Sequence, residues 1–238
     1  MFEAVFPGSP AVAGGPRIVQ ICCGPKGHGQ PASLWRLRVF WTGTEEPQAD
    51  LALWEGGTLK GTCLQESQEE VQVGLPGGYF NLDLARREGE AQLADLFGWS
   101  YILRILYFHD FLERQGLLLH AASVAWRGQA YIFPGPSGVG KSTIADLSSG
   151  KVVLSDEISS LTLSLNGAPP FAYDVKIFSD CGEGGKLSAP VRGIYFPVKD
   201  LENRLLPLDP GEVLKRLLRD VYVYTRWGPR LQKVLDLC

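Results

Sequence analysis

The order of apolar and polar positions divides the chain into a strand-rich first part and a longer part that mixes strands with helices. Residues 1 to about 90 hold short apolar runs separated by glycine and proline. The clearest run is Ser33–Trp41, in which apolar residues (Leu34, Leu37, Val39 and Trp41) alternate with polar ones. Such alternation is typical of a half-buried strand. We therefore predict a small β-rich accessory domain over residues 1–90.

The second part, residues 91–238, begins with a long apolar segment. We predict a helix over Ala91–Arg114, with Gly116 as its left-handed C-cap. Later apolar runs predict strands at Leu117–Ala125, Ala130–Phe133, Val152–Leu154, Ile158–Leu165 and Gly193–Val198, and helices at Lys141–Ser148 and Pro210–Val221. Turn-forming residues crowd the segment 169–190, which predicts a mobile loop over a site. We assign 91–238 to one domain.

One glycine-rich segment between a predicted strand and a predicted helix carries a phosphate-binding pattern. It reads Gly135-Pro136-Ser137-Gly138-Val139-Gly140-Lys141-Ser142-Thr143 and satisfies G-x-x-x-x-G-K-[ST]. Glycines let backbone N–H groups approach phosphate oxygens, and the following helix adds its positive end. Lys141 neutralises phosphate charge, and the Ser142 hydroxyl can bind Mg²⁺. The segment predicts a P-loop that binds the phosphates of a nucleoside triphosphate.

An acidic pair follows the P-loop unusually early. Asp156 and Glu157 end the apolar run Val152–Leu154, and Asp156 stands fifteen positions after Lys141. In most P-loop ATPases and GTPases the acidic strand comes much further along. The sequence also lacks a Leu-Ser-Gly-Gly-Gln signature and an Asn-Lys-x-Asp motif. These features argue against transport ATPases and guanine-nucleotide switches.

Three segments together resemble the HPr kinase/phosphorylase family. They are Leu119-His120-Ala121-Ala122-Ser123-Val124, the P-loop Gly135–Thr143, and Leu154-Ser155-Asp156-Glu157. The resemblance implies an α/β fold in which a mixed sheet with helices carries the P-loop, as in HPr kinase and phosphoenolpyruvate carboxykinase. It also implies a serine kinase that uses ATP and Mg²⁺. The Asp-Glu pair, and Pro190 before the Arg-Gly step, are closer to HPr-kinase-related proteins than to HPr kinase itself.

Four residues outside the P-loop are candidates for the chemistry. Asp156 would be the base that accepts the proton of a hydroxyl acceptor, as the resemblance also implies; alternatively, it binds a water of Mg²⁺ without proton transfer. Glu157 is either an Mg²⁺ ligand or a surface carboxylate. His120 is predicted to lie on the strand that neighbours the P-loop strand, where it either hydrogen-bonds Asp156 or a phosphate, or is a core histidine. Arg192 either contacts substrate phosphate or is solvated.

The sequence thus predicts an ATP-dependent phosphotransferase that acts on a hydroxyl, with a serine of a small protein or peptide as the expected acceptor. A nucleotide-binding regulatory module without transfer activity, and a kinase of a free hydroxylated metabolite, are the alternatives. The net charge is −3 and no basic tract occurs, which argues against a nucleic acid partner. Charged residues interrupt the most apolar helix, so we expect no membrane span. Five cysteines without framework spacing favour a reduced, cytoplasmic protein. The oligomeric state is left open.

Overall fold

The computed structural model describes residues 17–23, 33–42, 62–75, 78–94, 96–148, 150–163, 168–173 and 188–238. Within these ranges the strands are β1 (Arg17–Cys23), β2 (Ser33–Trp41), β3 (Thr62–Glu66), β4 (Glu70–Leu75), β5 (Gly78–Asp83), β6 (Glu88–Leu93), β7 (Gly116–Trp126), β8 (Gln129–Pro134), β9 (Val152–Ser155), β10 (Ile158–Thr162), β11 (Phe171–Tyr173) and β12 (Ser188–Ile194). The helices are α1 (Leu96–Glu113), α2 (Lys141–Leu147), α3 (Pro210–Asp220) and α4 (Gly228–Leu237).

The first of two compact units contains β1 to β6, most of α1 and residues 224–230. Its sheet has the order β1-β2-β6-β5-β4-β3, and β2 runs parallel to β6 while the other neighbours are antiparallel. The strand predicted at Ser33–Trp41 is confirmed as β2. Its inward face is Trp35, Leu37 and Val39, whereas Leu34 is half exposed and points the other way.

The first helix of the chain starts later than predicted. Ala91 and Leu93 belong to β6, where they alternate with polar residues; Ala91 pairs with Phe80 of β5, and Leu93 pairs with Trp41 of β2. The period of two over these residues therefore outweighs the helical spacing. At the far end, Gln115 is the left-handed residue (φ 57°), and Gly116 already begins β7. A Cβ on Gly116 would lie 2.7 Å from the carbonyl oxygen of Leu161, so the glycine allows close strand contact.

The second unit contains β7 to β12, α2, α3 and residues 231–238. Its strands follow the order β10-β11-β12-β8-β7-β9, and β10 also pairs with β7. That extra pairing closes β7, β8, β12, β11 and β10 into a small barrel. Strand β7 is long enough to close the sheet, because its first half pairs with β10 and its second half pairs with β8 and β9.

The predicted α/β fold, a mixed sheet with helices in the manner of HPr kinase and phosphoenolpyruvate carboxykinase, is wrong. The chain is β-rich, with two six-stranded sheets of which one forms the barrel. In the second unit, the described pairings are antiparallel except for β12 with β8. The helix after the P-loop has only seven residues. An open α/β sheet needs helices that cover both faces, whereas barrel closure removes the free edges instead.

Several predicted boundaries shift for local reasons. The strand predicted at Gly193–Val198 is β12, which begins earlier and ends at Ile194. Pro197 lacks the N–H that a ladder requires, which fits this early end. Part of the predicted loop 169–190 is strand, β11 and the start of β12, and residues 174–187 lie outside the described ranges. Among the described helices, none has the length and apolar character that crossing a membrane requires.

Candidate functional site

The P-loop connects the end of β8 to the start of α2. Gly138 has φ 79° and Gly140 has φ 112°, values that a side chain disfavours. A Cβ at Gly140 would meet nothing within 4 Å, so the backbone angle and not crowding demands a glycine there. Gly140 is the N-cap of α2 and makes no side-chain cap hydrogen bond. Left-handed glycines of this kind are what a loop needs in order to present backbone N–H groups to an anion.

Gly135, the first glycine of the loop, is needed for a different reason. A Cβ there would lie 2.8 Å from the side chain of Val139, which the tight loop brings back over it. The Gly135 N–H donates a 3.1 Å hydrogen bond to the carbonyl of His120 on β7. The base of the loop is thus fixed to the barrel wall at His120.

Lys141 folds back over its own loop. Its Nζ donates hydrogen bonds to the carbonyl oxygens of Gly135, at 2.8 Å, and Pro136, at 3.0 Å, and the residue is buried. Burial lowers the pKa of Lys141, while the nearby carboxylates of Asp220 and Glu157 act in the opposite direction. From this position the ammonium group can exchange its hydrogen bonds to the two carbonyls for hydrogen bonds to phosphate oxygens bound in the loop.

The acidic pair interrupts a strand that would otherwise be continuous. β9 and β10 pair with the same edge of β7, and Asp156 and Glu157 form the break between them. The Ser155 hydroxyl donates to the carbonyl of Ile158 (2.7 Å) and accepts from the N–H of Glu157 (3.3 Å), which fixes this break. Residues that leave the strand need not alternate between its two faces, so both carboxylates can serve one site.

His120 and its neighbour join the two parts of the site. His120 is half-buried on β7 and lies opposite Ile158 of β10, while its carbonyl accepts from Gly135 on the other edge. The N–H of Ala121 donates to the carbonyl of Glu157 at 3.0 Å. The predicted position of the histidine strand beside the P-loop strand is confirmed by the β7–β8 pairing. The His120 ring also lies 5.9 Å from the ring of Tyr222, centroid to centroid.

Asp220 is a buried carboxylate beside Lys141 that sequence reasoning missed. It is the last residue of α3 and is 4% exposed. Its oxygens accept from Arg219 Nε at 3.0 Å and from the terminal Nη2 at 2.9 Å. In the sequence it resembled a surface charge at the end of an amphipathic helix. The run of β-branched and aromatic residues that follows, Val221–Tyr224, was the available sign that the chain enters the sheet there.

Arg192 is the predicted site residue that the structure sets apart from the others. It is exposed at an irregularity of β12, between Val191 and Gly193, which pair with Ala130 and Tyr131 of β8. The P-loop begins at the opposite end of β8. About four residues of strand, or roughly 13 Å, separate the level of Arg192 from Gly135.

The oxygen donors near the loop fit a magnesium ion bound together with a nucleotide. Among the described residues, no group of three or more His, Cys, Asp or Glu side chains converges as a metal cage. Mg²⁺ in nucleotide sites keeps water and phosphate ligands and takes only one or two protein oxygens. The exposed hydroxyl of Ser142, in the first turn of α2, and the half-buried carboxylate of Glu157 are of this type. Thr143 is exposed beside Ser142.

Comparison with protein families and with curated proteins finds no relative, so a functional assignment has to rest on the candidate site. No family model matches the sequence, and no curated protein matches it significantly. The resemblance to HPr kinase therefore stays a prediction based on three short segments.

Proposed function

We propose that the protein is an ATP-dependent phosphotransferase of the HPr-kinase-like class, which transfers the γ-phosphoryl group to a hydroxyl. The observation that carries this proposal is the junction at β7, where His120 binds the base of the P-loop and Ala121 binds the acidic pair. A phosphate site and a carboxylate pair are thereby attached to adjacent residues. Phosphoryl transfer needs this combination of charge neutralisation and a positioned carboxylate.

In the proposed reaction the P-loop amides and Lys141 bind the β- and γ-phosphates. Ser142 and Glu157 would hold Mg²⁺, which supplies further neutralisation of phosphate charge. Asp156 accepts the proton of the acceptor hydroxyl while the oxygen of that hydroxyl forms a bond to the γ-phosphorus. The bond between that phosphorus and the β–γ bridging oxygen breaks, and ADP leaves. The backbone of His120 holds the base of the P-loop, and the backbone of the next residue, Ala121, holds the acidic pair.

The acceptor that we propose is a serine of a small protein or peptide, and the compartment is the cytoplasm, where ATP is available and thiols stay reduced. Both follow from the family resemblance and the composition. A nucleotide-binding regulatory module is the second candidate, favoured by Pro190, which stands where HPr kinases have a glutamate and pairs with Phe171 in the barrel. A kinase of a free hydroxylated metabolite is the third.

Incubation with γ-phosphorus-labelled ATP separates these three candidates. The protein is mixed in turn with serine-containing peptides, with small proteins and with hydroxylated metabolites, and the labelled product is identified by mass spectrometry. A phosphoserine peptide or protein supports the proposal, and a phosphorylated metabolite selects the third candidate. ATP binding without labelled product from any acceptor class would contradict transfer and leave the regulatory module.

A further inference from the structure

The last turn of α3 ends in an arginine–carboxylate pair with unusual geometry. Arg219 and Asp220 are adjacent in sequence, and neighbouring residues of a helix do not normally face each other. Their two hydrogen bonds, at 3.0 and 2.9 Å, form where the helix ends. The Asp220 side chain is 3% exposed, whereas that of Arg219 is 53% exposed. A buried carboxylate therefore holds a guanidinium group whose other side faces solvent.

Residues that follow this pair pack beside the candidate site. Val221 forms a β-bridge with Leu119, and the N–H of Tyr222 donates to the carbonyl of Leu118 at 2.8 Å. The ring of Tyr222 lies against that of His120. The pair is thus attached, through one or two residues, to the part of β7 that binds the base of the P-loop. The effect of the Asp220 charge on the pKa of Lys141 agrees with this position.

The other arginine of the same helix face has an ordinary environment. Arg216 bonds Glu212 one turn earlier at 2.7 Å, an (i, i+4) pair along the helix, and its guanidinium lies over the ring of Phe196. Arg219 instead uses two of its five N–H donors on Asp220, which fixes the plane of the guanidinium. A planar cation held in this way matches the oxygens of a phosphoryl group.

We propose that Arg219 binds the transferred phosphoryl group in the transition state and that Asp220 is the positioning residue that holds its guanidinium there. This inference rests on the proposed phosphoryl transfer. Arg219 neutralises charge that develops on the equatorial oxygens, and Asp220 prevents the long side chain from sampling other rotamers. Such cations act mainly in the transition state, so they affect the binding of ATP much less than the rate of transfer.

The test compares binding of ATP with trapping of ADP by aluminium fluoride and Mg²⁺, which imitates the transferred group without an acceptor. Arg219→Ala and Asp220→Asn should bind ATP within about threefold of the wild type but should trap ADP about 100-fold less tightly. The control variant Arg216→Ala should resemble the wild type in both measurements. If Asp220→Asn does not fold, the exposed Arg219→Ala carries the test.

The outcomes distinguish this inference from the proposed function. Equal trapping by the wild type and by Arg219→Ala overturns the role of Arg219 and leaves phosphoryl transfer standing. Parallel losses of ATP affinity and trapping mean that the pair is merely structural, which also overturns the inference. A wild-type protein that binds ATP but traps no ADP contradicts the proposed transfer itself, and the inference with it.

Discussion

The N–H of Gly135 donates a 3.1 Å hydrogen bond to the carbonyl of His120. The next residue of the same strand, Ala121, donates to Glu157 at 3.0 Å. Two consecutive residues of one barrel strand thus bind the base of the phosphate loop and the acidic pair. Because these bonds are made by the backbone, the relative placement of loop and acid depends on the barrel and not on the His120 side chain.

Gly140→Ala should weaken ATP binding, because alanine disfavours the φ of 112° on which the conformation of the loop depends. The strain is expected to cost about 1–2 kcal/mol in the free energy of unfolding. Gly128→Ala, in the turn between β7 and β8 at φ 76°, is the matched control. Calorimetry with ATP should show reduced affinity for Gly140→Ala alone, while urea unfolding shows destabilisation of both. Undiminished affinity in Gly140→Ala would contradict the loop conformation.

ATP affinity should decrease at alkaline pH, starting below the ordinary lysine pKa of 10.5, because burial lowers the pKa of Lys141. Phosphate binds the protonated form, so binding above the folded-state pKa requires uptake of a proton. Lys141→Arg should abolish this decrease, because arginine stays protonated. The stability of the folded protein without nucleotide depends on pH in the opposite direction to ATP affinity. Between the lowered pKa and 10.5 the unfolded chain binds more protons, so stability without nucleotide increases with pH in this window. Calorimetry across pH measures the first effect and urea unfolding the second.

Asp156→Asn should leave ATP binding almost unchanged and slow transfer by about 10²- to 10⁴-fold, because the amide cannot accept the acceptor proton. Asp146→Asn, an exposed change on α2, serves as the control and should transfer at the wild-type rate. Rates of transfer are measured with labelled ATP and the acceptor that the labelling experiment identifies. Transfer at the wild-type rate by Asp156→Asn would remove the base assignment and support the alternative in which this carboxylate only binds a water of Mg²⁺.

The first unit should lose stability in mild acid because of His109. Burial, followed by the charge of Arg230, lowers the pKa of His109 from 6.5 to about 3. Between these values the unfolded chain binds one more proton, so the free energy of unfolding decreases as the pH falls, by up to about 1.4 kcal/mol per pH unit. His109→Gln removes this contribution. Urea unfolding near neutrality and near pH 5 should show a smaller pH dependence for the variant; equal dependence would exclude His109 as its source.

The part of the site that depends on local sequence could be predicted. The hairpin of β7 and β8, the P-loop and the short α2 follow each other directly, and glycine, lysine and apolar runs indicate them without reference to the rest of the chain. The prediction that His120 neighbours the P-loop strand followed from this order and is confirmed.

Closure of the barrel depends on contacts that the sequence does not encode locally. The pairing of Ile158 with His120 and of Thr162 with Gly116 turns an apparently alternating α/β order into a closed sheet. Burial of Asp220 depends in the same way on the distant bridge between Val221 and Leu119. Without that contact, a carboxylate at the end of a charged helix has the pattern of a solvated surface residue.

Calorimetric titration with ATP and Mg²⁺ tests nucleotide binding by this loop most directly. The wild type should bind with one site, and Lys141→Ala should reduce the affinity by at least about tenfold, because a desolvated charge pair with phosphate is lost. Lys151→Ala, whose lysine is exposed over the ring of Trp126, is the control and should bind as the wild type does. Absence of binding by the wild type, or equal binding by Lys141→Ala, would contradict the P-loop as a nucleotide site.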